Sequence, residues 1–221
     1  MKHRVLVTAC CLSIFVGGHA LAAEDAVMRQ IASLQSEWAT ANYQLAEADK
    51  QAAFEALLEK AQHLTAGYPQ RAEPRVWEAI IRAGLAGSMG GLSALFKAMP
   101  QMEQGRTLLL EAEKMDPTVL NGSVYTTLGS FYYMVPGGLI GFGDDDKARE
   151  YLAKALQTAP DDMDANYFMG DFLLDQGDPA AAKPYLQKVL AMPDVEGRPV
   201  YSKGRRAEAA AKLSIANNQL K

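Results

Sequence analysis

The stretch from Met163 to Pro193 reads MDANYFMGDFLLDQGDPAAAKPYLQKVLAMP. Its apolar residues recur at spacings of three and four on both sides of Gly177-Asp178-Pro179, which predicts two helices joined by a tight turn. Gly170 and Ala182 stand twelve residues apart and are small where two antiparallel helices would cross. Phe172, Leu173 and Leu186 are placed to fill the layers around that crossing. Working outward, the same pattern lies upstream. Gly143-Asp144, Ala148, Tyr151, Leu152, Lys154 and Leu156 align with Gly177-Asp178, Ala182, Tyr185, Leu186, Lys188 and Leu190, every pair 34 residues apart.

A helix-turn-helix recurring at 34 residues resembles the tetratricopeptide repeat family. The resemblance implies an all-α fold, an α-solenoid of about four antiparallel helical hairpins with a C-terminal capping helix, because each unit leaves an apolar face that only a neighbour can cover. The expected organisation is a signal peptide over 1–23, a degenerate N-terminal hairpin over 24–68, a repeat-like unit over 69–120, a repeat over 121–162, a repeat over 163–196 and a capping helix over 197–221. In the unit over 121–162, seven extra residues lie in the turn Val135–Gly143. In the unit over 69–120, about twelve extra residues are expected in the turn Ala86–Pro100, enough for a short helix within it. The N-terminal helices are expected over Glu24–Asp49 and Gln51–Thr65. Pro184, five residues beyond Pro179, predicts a bend or a late helix start. The last helix, Ser202–Leu220, is Ala-rich, with Arg205, Arg206 and Lys212 on its polar side.

The first residues belong to targeting rather than to the fold. Lys2, His3 and Arg4 precede an apolar run from Val5 to Val16, and Ala20-Leu21-Ala22-Ala23 has the small residues of a signal-peptidase site, with cleavage expected after Ala22 or Ala23. The run is shorter than the roughly 20 residues a membrane-spanning helix needs. Cys10 and Cys11 both lie within it, so the mature chain has no cysteine, and His63 is its one histidine. Its fold must be held by packing. Removing the signal takes two of 22 basic residues and none of 26 acidic ones, leaving a formal charge of −6. That balance argues against a nucleic-acid partner.

Catalytic chemistry is poorly supplied. No thiol nucleophile and no multi-histidine metal site can be assembled, and His63 reads as a residue near a helix C-terminus. Asp144-Asp145-Asp146 and Asp161, Asp162 and Asp164 read as helix caps rather than calcium ligands, since no twelve-residue loop ending in Glu is present. Asp171 and Asp175, four apart on a helix, are the one carboxylate pair of note. The glycines of Val135–Asp144 lack the preceding strand and following Lys-Ser/Thr of a phosphate loop. The chain is therefore read as no enzyme, with no cofactor.

Two surfaces remain. By offset from Trp77, Tyr125 and Gly170, the inner face of the stack carries Glu78, Arg82, Thr126, Ser130, Tyr133, Tyr167, Asp171, Leu174 and Asp175, a mixed polar and aromatic set suited to a peptide or a small polar ligand. The loop from Pro136 holds Leu139, Ile140 and Phe142 where loops are normally polar. These either tuck back into the stack or are offered to a partner.

The stretches Gly90-Gly91-Leu-Ser-Ala-Leu, Leu128-Gly129-Ser-Phe-Tyr-Tyr-Met-Val-Pro136 and Asp146-Lys-Ala-Arg-Glu-Tyr-Leu-Ala-Lys-Ala155 are similar to the helical-repeat T-components of tripartite periplasmic uptake transporters. That likeness implies a helper that contacts a solute-binding protein. The expected function is a periplasmic protein–protein interaction scaffold, or alternatively a ligand-binding accessory to solute uptake.

Overall fold

The computed structural model describes residues 16–90 and 94–221, with side chains over 26–90 and 96–221. Most of the proposed signal lies outside the described residues, and the expected cleavage point falls in the first turns of the first helix. Among the described residues there are nine helices: α1 (Val16–Tyr43), α2 (Glu47–Gly67), α3 (Ala72–Ser88), α4 (Ala94–Met115), α5 (Val119–Met134), α6 (Asp145–Thr158), α7 (Met163–Asp175), α8 (Pro179–Ala191) and α9 (Pro199–Gln219). They form four hairpins and a final helix, an all-α solenoid. None of them is long and apolar enough to cross a membrane.

The repeat geometry follows from its small residues. A Cβ added to Gly170 would lie 2.8 Å from Leu186 Cγ, so α7 and α8 approach as closely as a glycine permits. Gly129 holds the equivalent place against Leu152, 2.6 Å from the same kind of position. The helix starts are fixed by the expected aspartates. Asp144 accepts from Lys147 N, Asp162 from Ala165 N and Asp178 from Ala181 N, each satisfying a first-turn amide.

Several boundaries differ from the sequence reading. The turn between α1 and α2 falls at 44–46, and α2 starts at Glu47, where Glu47 and Asp49 complement the positive helix end. The long turn expected over Ala86–Pro100 is mostly helix, for Pro100 lies inside α4 and does not stop it. The extra residues lengthen α3 and α4 to 17 and 22 residues, against 13 each in α7 and α8. Helix α8 likewise starts at Pro179 and continues through Pro184, so there is no late start. By contrast, the turn over Val135–Gly143 is a true loop.

The largest departure is at the ends of the stack. Along the inner side α1 touches α3, α3 touches α5, α5 touches α7 and α7 touches α9, as a solenoid requires, but α9 also packs on α1. Five helices thus make a closed ring, and α2, α4, α6 and α8 form the outer layer. Gly204 of α9 sits against the ring of Tyr43, with no room for a side chain between them. Tyr43 in turn packs edge-on against Trp38, and Trp38 against Trp77 of α3.

Candidate functional site

Closing the ring turns the expected open groove into a lumen. A cavity of about 590 Å3 occupies it, walled by α1, α3, α5, α7 and α9 with α4 at one end, a size within the range of small-molecule sites. Two ends can be distinguished. At one, Arg205 of α9 is buried between Asp164 Oδ1, 2.7 Å from its Nε, and Glu208 Oε2, 2.7 Å from its Nη1. Its guanidinium carbon lies 4.4 Å from the Tyr167 ring centre and 4.9 Å from that of Phe168, and Tyr43 Oη donates to Glu208 at 3.1 Å. This cluster joins α7, α9 and α1. Burial opposes the charge of Arg205, but the surrounding Asp164, Tyr43 and Glu208 outweigh it and raise its pKa well above the ordinary value. Burial, reinforced by the charge of Asp164, pushes the carboxyl of Asp162 up to about 6.

The other end is apolar. Ile80, Met99, Met102, Phe131 and Met134 face the lumen there. Leu120 and Asn121, on the wall at the start of α5, have φ of 52° and 57°, a left-handed conformation costly for a branched side chain and characteristic of binding sites. Gly122 completes this turn at φ 78°.

The expected groove residues divide. Thr126, Ser130 and Tyr167 line the lumen. Glu78 and Arg82 do not: they are buried together, Arg82 Nη2 donating to Glu78 Oε1 at 2.8 Å and Nη1 to Gln101 of α4 at 2.6 Å. Offset from Trp77 placed them on the inner face because α4 was not expected to extend over that side of α3. Tyr133 Oη donates to Asp171 at 2.9 Å, and Lys212 of α9 pairs with Asp171 at 2.5 Å. Asp171 is therefore buried under the closing helix, Leu174 is in the core, and Asp175 is exposed. The two carboxylates are thus split, Asp171 engaged by Tyr133 and Lys212 and Asp175 at the surface.

Sequence reasoning missed the residues that matter most in the lumen. Arg205 was expected on the polar side of its helix but is buried. Trp38 and Arg198 were assigned no role at a site. The available signal was the row Tyr201, Ser202, Arg205, Ala209 and Ala216 in α9, all buried and on one face. An arginine in an otherwise small and apolar stripe marks a buried ion pair.

The loop over Pro136–Gly143 leaves directly from the wall. Gly143 N donates to Pro136 O at 3.0 Å and Asp144 N to Tyr132 O at 2.8 Å, pinning its base. A Cβ on Gly143 would lie 2.8 Å from Pro136 C, so that position requires glycine. The three apolar side chains split between the two alternatives. Phe142 tucks in, edge-on to Tyr132 at 5.8 Å and under the Arg106 guanidinium at 4.2 Å. Leu139 and Ile140 stand exposed at the tip, beside exposed Pro136. The acidic runs act as caps and ion pairs, with Asp161 bound to Lys188 at 2.8 Å.

Residues 139–194, from this loop through α8, match the model of the tetratricopeptide repeat family. A search of curated proteins found no match to the chain. Repeats of this family usually bind protein partners and are generally non-catalytic.

Proposed function

We propose that this chain, with a tetratricopeptide segment built into a closed helical ring, is a non-enzymatic periplasmic scaffold that binds a protein partner through the outside of the ring. The observation that carries this reading is the loop tip. Leu139 and Ile140 are large, apolar and exposed on a loop whose base is hydrogen-bonded shut, so an apolar contact is held ready at little ordering cost. Location in the periplasm is supported by the basic, apolar and small-residue succession over 2–23. A Leu139→Ser/Ile140→Ser variant should lose a partner that the wild type retains in cross-linking from periplasmic extract, and equal recovery of every partner would refute the role of the tip. Mass measurement of the exported chain should give an N-terminus at Ala23 or Glu24; an uncleaved chain would refute the signal.

A second reading, a ligand-binding accessory to solute uptake working with a solute-binding protein, is supported by the lumen. A scaffold that only presented its exterior would have no use for a cavity of about 590 Å3 lined by polar and aromatic groups. Thermal-shift screening of small molecules tests it: ligands should stabilise the chain, and a flat response across a broad panel counts against it.

A further inference from the structure

At the polar end of the lumen Glu208 already receives Tyr43 and Arg205, Asp164 pairs with Arg205, and Asp162 caps α7. Two donors outside this cluster lack a hydrogen-bond partner. Trp38 is 8% exposed, lies on the lumen wall and has an indole Nε1–H with no hydrogen-bond partner among the described residues. Arg198 Nε is buried and equally without a hydrogen-bond partner among the described residues, its charge being felt by the Asp162 carboxyl. The guanidinium is held flat, its central carbon 4.0 Å from the Tyr201 ring centre and 5.5 Å from that of Trp77. Trp77 is also the neighbour of Trp38, at 6.4 Å between ring centres, so both donors flank one indole. A buried indole N–H and a buried guanidinium N–H without a hydrogen-bond partner each carry a desolvation cost that an acceptor removes.

The opposite end selects the rest of the ligand. Met99 and Met102 from α4 and Met134 from α5 offer flexible, polarizable side chains to the lumen. Val135 and Pro136 of the same wall lead straight into the loop, where a Cβ on Gly141 would lie 2.8 Å from Met99 Cε and 2.9 Å from Val135 Cγ1. Exposed Met134, Leu139 and Ile140 therefore continue the apolar wall to the exterior.

We infer that the lumen binds a single-chain amphiphile with an anionic head, the head accepting from Arg198 and Trp38 and the chain lying along Met99, Met102 and Met134 toward the Pro136–Gly143 loop. The inference rests on the ligand-binding reading above and adds the class of ligand. Arg198 and Arg205 face Asp162, Asp164 and Glu208 there; burial raises Asp162 to about 6 against the opposing charge of Arg198, so this end sheds a negative charge only as pH falls through 6, where an anionic head is best accepted.

The chain offers its own probe, because its two tryptophans, Trp38 and Trp77, both line the lumen. Dodecanoate, titrated below its micelle concentration into the mature chain, should change their emission saturably. Arg198→Gln should weaken that binding about tenfold or more. Met134→Glu alters an exposed residue and so leaves the fold intact, but places a carboxylate beside the chain; it should weaken binding as well, and decides the matter if Arg198→Gln does not fold by circular dichroism. Dodecan-1-ol and dodecyltrimethylammonium are the head-group controls. Equal or tighter binding of either control overturns the anionic head while leaving a ligand-binding lumen. No response to any of the three overturns the amphiphile and counts against the ligand-binding reading too. Wild-type affinity for dodecanoate in both variants overturns the assigned ends.

Discussion

Replacing Arg205 with alanine should open the ring. The side chain is 7% exposed and neutralises Asp164 and Glu208 while stacking on Tyr167 and Phe168. Removing one partner of a buried ion pair costs about 3–5 kcal/mol, because a charge is left without its counter-charge. Here the two carboxylates are 31% and 35% exposed, so water recovers part of their solvation and the electrostatic loss sits near the lower bound. The lost cation–π contacts add about 0.5–1 kcal/mol each. The expected total is about 4 kcal/mol, equivalent to a melting temperature lower by roughly 8–16 °C for a chain of this size. Urea unfolding followed by circular dichroism measures it, with Arg205→Met/Asp164→Asn/Glu208→Gln as the companion. That triple variant removes the stranded charges and should recover at least half of the loss. A single substitution within about 0.5 kcal/mol of wild type, the range of an ordinary surface change, would refute the role of Arg205 in holding α9 to α7 and α1.

Three further outcomes follow from the packing and the titration. Gly129→Ala and Gly170→Ala should each cost about 1–3 kcal/mol by overpacking. Gly129 should cost more, because Leu152 N stands 3.1 Å from the added carbon and cannot turn away as a side chain can; denaturation midpoints in the reverse order would contradict that geometry. Phe142→Ala should cost about 2 kcal/mol, less than a fully buried phenylalanine, whereas Leu139→Ser/Ile140→Ser should stay within about 0.5 kcal/mol in the same assay. Asp162 has its folded-state pKa raised to about 6, so the folded chain holds that proton more tightly than the unfolded chain does. Its contribution to stability is fully present below the unfolded value of 3.8 and is lost as pH rises through 6. Asp162→Asn should flatten the fall in urea midpoint between about pH 4 and 6.5, and an unchanged slope would assign that dependence elsewhere.

The hairpin over α7 and α8 was legible because its determinants are local. Gly170, Ala182, Leu186 and Asp178 each act within one unit, and their spacing alone implies the crossing and the cap. The loop over Val135–Gly143 was legible for the same reason, as an interruption in an otherwise regular period. Pro100 misled because proline raises the cost of a helix without forbidding it, and long α4 is packed against α3. The ring could not be read at all. Tyr43 and Glu208 are 165 positions apart, and no periodicity links a tyrosine at the end of α1 to a glutamate in α9. With the ring unseen, the inner face was expected to be open, and its most consequential residues, Trp38, Arg198 and Arg205, were passed over.

Closure also changes how the chain should come apart. A linear array of repeats frays from its two termini, since each end unit has a single neighbour and melts nearly independently of the middle. In this chain the terminal helices are each other's neighbours, so neither has a free end to fray, and separating them must disrupt α1, α7 and α9 together. The contact between them spans most of the chain and is therefore among the slowest to form. Unfolding should accordingly be a single cooperative event, not a progression along the stack, and a chain shortened before α9 should regain the stepwise melting of an open array.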